Sequence, residues 1–360
     1  MTKTNVPRLR FSGFSGEWKE DIFESILDEN NGIRRGPFGS SIKKSDFDKN
    51  NKYGVYEQQN AIHDVNFLRY FINESKFKEL SNFTLQENDI IMSGAGTIGQ
   101  LSVIPKNYIP GVFNQALIRI RKNKNTDLNY LVQFLESDNV QRKLKSNNPG
   151  SAIQNLKPMK YIKKMNVSFP DFIEQQKIGA FFAKQDKLIE LQTQKVDQLK
   201  KLKRGYLQKM FPQEGETVPR LRFSGFSGEW KEAKIEDIYS IGRGLVLSKK
   251  RISLNKTSGN IFPVYSSQTQ NNGLLGYYSN YLYEDSITWT TDGANAGTVR
   301  FRSGKFYSTN VNGVLTNSNG YCNSMMANAI DRVAYKYVSH VGNPKLMNNT
   351  MKIIKIKYPS

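Results

Sequence analysis

The sequence predicts an α+β protein in which two α/β domains stand in tandem, joined by one long helix, with a pseudo-twofold relation between the halves. Three observations predict it. A fifteen-residue segment recurs without a change, strand-like runs leave through glycine-rich loops at corresponding places in both halves, and a long helical pattern lies between them.

The repeat sets the frame. Val6-Pro-Arg-Leu-Arg-Phe-Ser-Gly-Phe-Ser-Gly-Glu-Trp-Lys-Glu20 returns as Val218 to Glu232, an offset of 212 residues (218 − 6). Fifteen identities do not arise by chance, and perfect identity points to recent duplication or recombination. Weaker echoes exclude a short peptide copied by accident. Asp89-Ile-Ile-Met-Ser-Gly-Ala-Gly-Thr-Ile-Gly99 and Asp285-Ser-Ile-Thr-Trp-Thr-Thr-Asp-Gly-Ala-Asn-Ala-Gly-Thr298 each enter a strand from an aspartate and leave it through glycines. Both continue into β-branched and aromatic residues around Asn114-Gln115 and Asn310-Val311. Lys160 to Pro170 and Lys352 to Pro359 are both basic and aliphatic, ending on aromatic-proline pairs. Otherwise the interiors differ, as expected of two similar frames tuned to different targets. The expected division is residues 1–20 for the repeat, 21–170 for the first domain, 171–212 for the helical connector, 213–232 for the second repeat and 233–360 for the second domain.

The connector, about Phe172 to Met210, starts after Pro170-Asp171 and stops at Pro212 and Gly215. Asp171 is the expected N-cap, with Glu174 three residues on in a capping-box arrangement. Ile178, Phe182, Ile189, Val196, Leu199, Tyr206 and Met210 follow heptad spacing, a stripe that calls for a partner helix. Such a helix would run roughly 55 Å, longer than one turn of B-DNA, and could act as a ruler between two readers.

Charge limits the function classes. Fifty-two Lys and Arg stand against thirty-two Asp and Glu, a formal charge of +20, which favours a polyanionic partner. An anionic membrane is the weaker choice, because no apolar run approaches about 18 residues and Met1 to Arg10 lack the apolar region of a signal peptide. A soluble, cytoplasmic protein is expected. Cys322 is the only cysteine, so an internal disulfide and a thiolate cluster are impossible, and His63 and His340 have no partner at ligand spacing. No metal is expected on this chain.

Three motifs suggest chemistry without supporting it. Gly94-Ala-Gly-Thr-Ile-Gly99 matches a dinucleotide fingerprint, but Leu101-Ser-Val-Ile and Pro105 follow, a second strand rather than the required helix. Glu17-Trp18-Lys19 and Glu229-Trp230-Lys231 resemble half of a nuclease site, with Pro170-Asp171 as a nominal other half, but carboxylates do not cluster. Phe11, Phe14 and Trp18 are expected instead to pack the repeat against the connector. Asn148-Pro149 and Asn343-Pro344 lack the Pro-aromatic pair of adenine-amino methyltransferases.

The DNA-reading candidates are polar loops of the two interiors. In the first half they are Arg34, Arg35, Lys43 and Lys44, then Tyr56, Gln58, Gln59 and Asn60, and the loop residues Ser93, Gly94, Gly96 and Thr97. In the second they are Arg243, Lys249, Lys250 and Arg251, then Ser266, Ser267, Gln268, Thr269, Gln270 and Asn271, with Thr291 and Asp292. Gln and Asn can grip adenine and Arg guanine, whereas Lys clusters mostly find phosphates, and a glycine-rich tip brings backbone donors close to a phosphate or base edge.

With these residues in view, the chain resembles the specificity subunit of a type I restriction-modification system. The resemblance rests on Val6 to Glu20, Val218 to Glu232, Phe169-Pro-Asp-Phe-Ile-Glu-Gln-Gln-Lys-Ile178, Asp186-Lys-Leu-Ile-Glu190 and Gly150-Ser-Ala-Ile-Gln-Asn-Leu156, and it spans nearly the whole chain. It implies two target recognition domains, each reading one half of a split DNA site, held apart by conserved helices packed antiparallel as a coiled-coil spacer. It also implies two modification subunits that use S-adenosylmethionine to methylate adenine, and restriction subunits that use ATP and Mg, with no cofactor on this chain. The family normally ends with a second long helix, and the sequence stops at Pro359-Ser360, so the expectation is either a truncated chain or a second chain that supplies the helix as a further partner. A stand-alone repressor or architectural protein is the rival reading, and a nucleotide-binding enzyme a weaker one.

Overall fold

The computed structural model describes residues 5–145, 156–268 and 270–359. The chain divides into two compact units, the first running to Lys195 and the second starting at Val196, and the 39-residue helix that contains this boundary is Phe172–Met210.

In the first unit the strands are β1 (Lys19–Ile22), β2 (Ile33–Arg35), β3 (Tyr53–Tyr56), β4 (Tyr70–Ile72), β5 (Ile90–Ser93), β6 (Leu101–Val103), β7 (Gly111–Phe113), β8 (Leu117–Ile120) and β9 (Asn166–Phe169). The helices are α1 (Gln58–Ile62), α2 (Glu74–Glu79), α3 (Leu128–Glu136), α4 (Asp138–Leu144), α5 (Met159–Lys163) and α6 (Phe172–Met210). One sheet runs β2-β8-β5-β6 and a second β4-β3-β7, with β3 and β7 parallel. Leu101–Val103 pairs antiparallel with Ile90–Met92, so the glycine-rich segment is the hairpin tip that the sequence predicts and no helix follows it. β1 pairs with β9, Lys19 opposite Phe169, which closes the unit by joining its two ends.

The second unit contains β10 (Lys231–Lys234), β11 (Ser240–Arg243), β12 (Phe262–Tyr265), β13 (Leu274–Tyr278), β14 (Tyr283–Thr290), β15 (Val299–Ser308), β16 (Asn312–Thr316) and β17 (Lys355–Tyr358), with α7 (Ile235–Ile238), α8 (Ser324–Ala334) and α9 (Asn348–Ile353). Its sheet runs β11-β16-β14-β15-β12-β13, with β12 parallel to β15. Strand for strand this repeats the first unit, with the unbroken β15 standing where β6 and β7 stand. Its ends meet in the same way, Lys231 opposite Tyr358.

In each unit one face of the larger sheet is buried under helices. In the first unit Phe23, Met92, Ile118 and Ile120 pack with Leu131 and Leu135 of α3. In the second, Trp289, Ile287 and Leu315 pack with Met326 and Ile330 of α8. Each such large side chain contributes about 1.5–3 kcal/mol by leaving water. Trp289 satisfies its indole by donating to the Leu346 carbonyl at 2.9 Å, and its ring lies against Gly313, where a Cβ would stand 2.1 Å from it.

At the start of α6, Asp171 caps as expected, its Oδ1 accepting the Glu174 amide at 2.9 Å. The reciprocal half of the capping box does not form. Glu174 is only 1% exposed and its two oxygens accept from Arg10 Nε and Nη2 at 2.8 and 2.7 Å, because a guanidinium fork offers a carboxylate more than one backbone amide can. Phe11 meets Phe181 edge-on at 5.6 Å, and Trp18 lines a cavity of about 610 Å³ with Tyr130, Ile178 and Phe182, so the first repeat does pack on the helix. Of the heptad stripe, Ile178 packs against the core of the first unit. Phe182, Ile189, Val196, Leu199 and Tyr206 are exposed, and Met210 is half-buried.

Candidate nucleic-acid interface

In the first unit the candidate surface grows from the end of β2. Gly36 follows Arg35 because nothing larger fits: a Cβ there would lie 1.9 Å from the Asn114 carbonyl oxygen, while the Gly36 amide donates to Leu117 O at 3.0 Å. This close approach lays Arg35 on the Asn114–Ala116 turn, where its Nε donates to the Gln115 carbonyl at 3.3 Å. The turn is stiffened by Asn114 Oδ1 accepting the Ala116 amide at 3.0 Å, and it abuts the glycine-rich tip through Gly94 N to Ala116 O at 2.7 Å. Gln58 of α1 ties in from the far side, its Nε2 donating to the Ala95 carbonyl at 2.6 Å. Arg35, Gly96 and Thr97 are exposed in this assembly and Gln58 half-buried, so four segments distant in sequence share one surface.

The second unit builds the same corner from other residues. A Cβ on Gly244 would lie 2.1 Å from Thr309 O, its amide donates to Asn312 O at 3.0 Å, and Arg243 Nε donates to the Asn310 carbonyl at 2.8 Å. In both units an Arg-Gly step at a strand end places an exposed arginine on the carbonyl of the following turn, and that shared dipeptide is the signal that sequence reading passes over. Behind the corner, Arg302 stacks 3.9 Å over the Tyr265 ring and donates to the Asn272 carbonyl at 2.7 Å, and burial pushes its guanidinium down to about 10. Arg300 bonds the Asn272 side chain. Asn271 and Asn272 both adopt left-handed backbone, φ 48° and 55°, which asparagine tolerates better than most residues. This corset presents Gln268, Gln270 and Asn271 to solvent. Arg300 and Arg302 escape sequence reading because they lie within a strand.

Several predicted reader residues need correcting. Tyr56 is buried on β3, its hydroxyl donating to Ile109 O at 2.8 Å, and burial with Tyr108 nearby pushes its pKa up to about 12. Asn60 is buried, donating to Phe67 O at 2.7 Å and accepting the Glu57 amide at 2.7 Å. Ser93 donates to Thr97 O at 2.6 Å, Gly94 is buried beside it, and Thr291 donates to Val311 O at 2.9 Å. These groups hold loops in shape, because a buried polar atom must find its partner inside the fold.

The others are placed less tightly. Lys43 and Lys44 are exposed at a 3-10 turn, Lys249 and Lys250 at another, and Arg251 lies 4.9 Å over Tyr278. Arg34, half-buried, sits 5.9 Å over Phe83, and Gln59 and Ser267 are half-buried. Ser266 accepts from Thr309 at 3.1 Å, and Asp292 faces Asn343 Nδ2 at 3.5 Å. Thr269 lies outside the described residues, as do residues 148–155 and so both Asn148-Pro149 and most of the Gly150 to Leu156 segment. Among the described residues no group of three or more His, Cys, Asp or Glu could hold a metal ion, and no helix is long and apolar enough to cross a membrane.

Comparison with known proteins places this architecture. Over 98–99% of its length the chain superposes on solved structures from type I systems. One is the type I restriction-modification system S subunit from M. genitalium, with a TM-score of 0.63 at 16% identity, covering 99% of this chain and 88% of that one. A type I specificity subunit of Mycoplasma pneumoniae, represented by its N-terminus, is 42% identical over 133 residues, 36% of this chain and 70% of the relative. A second from the same organism is 36% identical over 129 residues, 35% of this chain but only 34% of the relative's length. The family model for the type I restriction modification DNA specificity domain matches twice, over residues 37–201 and 227–360. The chain therefore belongs to the family of type I restriction-modification specificity subunits.

Proposed function

We propose that the chain recognises a DNA site in two parts, one per unit, and carries no chemistry of its own. The observation that supports this best is the pair of corners. Two units of unlike sequence hold an arginine in the same way, Arg35 on the Gln115 carbonyl and Arg243 on the Asn310 carbonyl, beside different polar loops. A conserved cation suits a phosphate, which every sequence offers, and the differing loops suit base edges, which specify. The formal charge of +20 supplies the attraction.

In this reading two modification subunits dock on the chain and methylate adenine N6 with S-adenosylmethionine, and restriction subunits bring ATP- and Mg-dependent translocation and cleavage. This chain binds none of those cofactors and works in the cytoplasm. A further helix packs along the exposed stripe on α6. The test is to express the chain with its cognate modification subunit and map methylated adenines by single-molecule sequencing. A two-part motif is expected, and exchanging the exposed unit-one residues Lys43, Lys44, Gly96 and Thr97 should change one part only. A simultaneous change in both parts would contradict independent readers. Binding of a free nucleotide with DNA recognition untouched would revive the enzyme reading.

A further inference from the structure

Three residues past each corner arginine stands an exposed apolar side chain. Phe38 comes after Arg35 and is 86% exposed, and Val246 comes after Arg243 and is 78% exposed. The backbone beneath them is held. In the first unit Pro37 is buried, the Phe38 carbonyl accepts the Ser41 amide at 2.9 Å, and a Cβ on Gly39 would stand 3.0 Å from Gln115 Oε1. In the second, the Leu245 amide donates to Ser308 O at 3.0 Å and the Ser248 carbonyl accepts the Arg251 amide at 3.0 Å. Each segment then enters a 3-10 turn that carries exposed lysines, Lys43 and Lys44 in one unit, Lys249 and Lys250 in the other.

A lone exposed apolar residue is ordinary on a protein surface. Here one recurs at the same step of two units of unlike sequence, a phenylalanine in one and a valine in the other, between an arginine and a lysine turn. At such exposure the side chain adds little to its own core, so its apolarity is of use toward a ligand. The cations on both sides match a polyanion, and among the groups that base pairs offer in the major groove the thymine 5-methyl is the apolar one. Three extended residues span at most about 11 Å, less than the roughly 12 Å width of the major groove. An arginine on a rim phosphate therefore leaves the residue three positions on above the base edges.

We propose that Phe38 and Val246 are specificity-determining residues that read thymine through its 5-methyl group, each in the half-site of its own unit. The polar loops beside them can hydrogen-bond the base edges, but a hydrogen bond to thymine O4 is the same for uracil, so the methyl group isolates the apolar contact. The inference rests on the reading of one half-site per unit, and it names a base and a chemical group within each half.

The test uses the full chain bound to its cognate modification subunit and a fluorescent DNA duplex carrying the two-part motif found by methylation mapping. Every thymine of one half and of its flanking base pairs is replaced by deoxyuridine, which lacks only the methyl group, and affinity is read by anisotropy. Affinity is expected to fall about fourfold for each buried methyl group removed. Phe38→Ser should abolish the fall for one half-site and leave it for the other, Val246→Ser should do the reverse, and Phe38→Leu should keep it. Denaturant unfolding of Phe38→Ser should match that of the parent chain, since the side chain is already in water. Equal affinity for thymine and deoxyuridine duplexes would overturn the assignment, as would a methyl effect that survives both serine variants. Loss of the modification subunit from the complex on Phe38→Ser would also overturn it, by putting a protein partner on this residue. A complex that binds the motif without sensing the methyl groups fails this inference alone, whereas one that binds no duplex fails the two-reader reading as well.

Discussion

The two units share a strand order but not a sheet. In the second, β15 runs ten residues without a break and serves β14 on one side and β12 on the other, so six strands form one surface. In the first, Pro105 and Pro110 fall between β6 and β7, each removing an amide donor, and the same strand position splits between a four-stranded and a three-stranded sheet. What survives the divergence is smaller and more local: the Arg-Gly step at the end of β2 and β11, the parallel pairing of β3 with β7 and β12 with β15, and the closing pair of end strands. The comparison teaches that such a unit needs its closure and one tight glycine contact, and that the sheet between them can be rebuilt.

That claim is most directly broken at the glycines. Gly36→Ala and Gly244→Ala each drive a Cβ into a backbone carbonyl, 1.9 and 2.1 Å away, where no flexible side chain can yield. Each should destabilise its own unit by about 3 kcal/mol, the upper range for overpacking. Denaturant unfolding read separately at Trp18 in the first unit and at Trp230 and Trp289 in the second would check this. An unequal effect would show that the corner is structural in one unit and incidental in the other.

The arginines that these glycines position sharpen the same comparison at the level of binding. If Arg35 and Arg243 both face phosphate, Arg35→Ala and Arg243→Ala should each lower the salt dependence of DNA affinity by roughly one ion, without changing the preferred sequence. A change of preferred sequence in one variant alone would make that arginine a base reader and the two corners unlike in role.

How much of this was legible in the sequence follows from the range of each interaction. The repeat, the start and end of α6 and the β5–β6 hairpin were legible, because capping, proline placement and the alternation after Gly99 act over a few residues. The candidate reader loops could be placed only as regions. Tyr56 and Asn60 look like the polar, aromatic mixture of a nucleic-acid contact, but their partners Ile109 and Phe67 are set by how β3 and the loop after α1 pack, which no local pattern records. The repeat carries the sharpest lesson. Fifteen identical residues seat a half-buried Arg10 on the buried Glu174 and leave Phe223 and Phe226 in water, so burial belongs to what lies opposite a segment and not to the segment.

The smallest expected effect separates the two glycine-rich loops. Gly96 and Gly293 both have left-handed backbone, φ 59° and 94°, so alanine at either should cost about 1 kcal/mol in backbone strain alone. Their surroundings differ: a Cβ on Gly96 would lie 3.2 Å from Gln58 Nε2, whereas one on Gly293 meets nothing within 4 Å. Gln58 is the side chain that ties α1 to the Ala95 carbonyl, so Gly96→Ala disturbs the exposed tip as well as its backbone. If each unit reads one half-site, DNA affinity should therefore fall more for Gly96→Ala than for Gly293→Ala at similar loss of stability, with the fall confined to the half assigned to the first unit. Equal losses of affinity would mean that the tip acts through its backbone conformation alone, and that the contact with Gln58 contributes nothing to recognition.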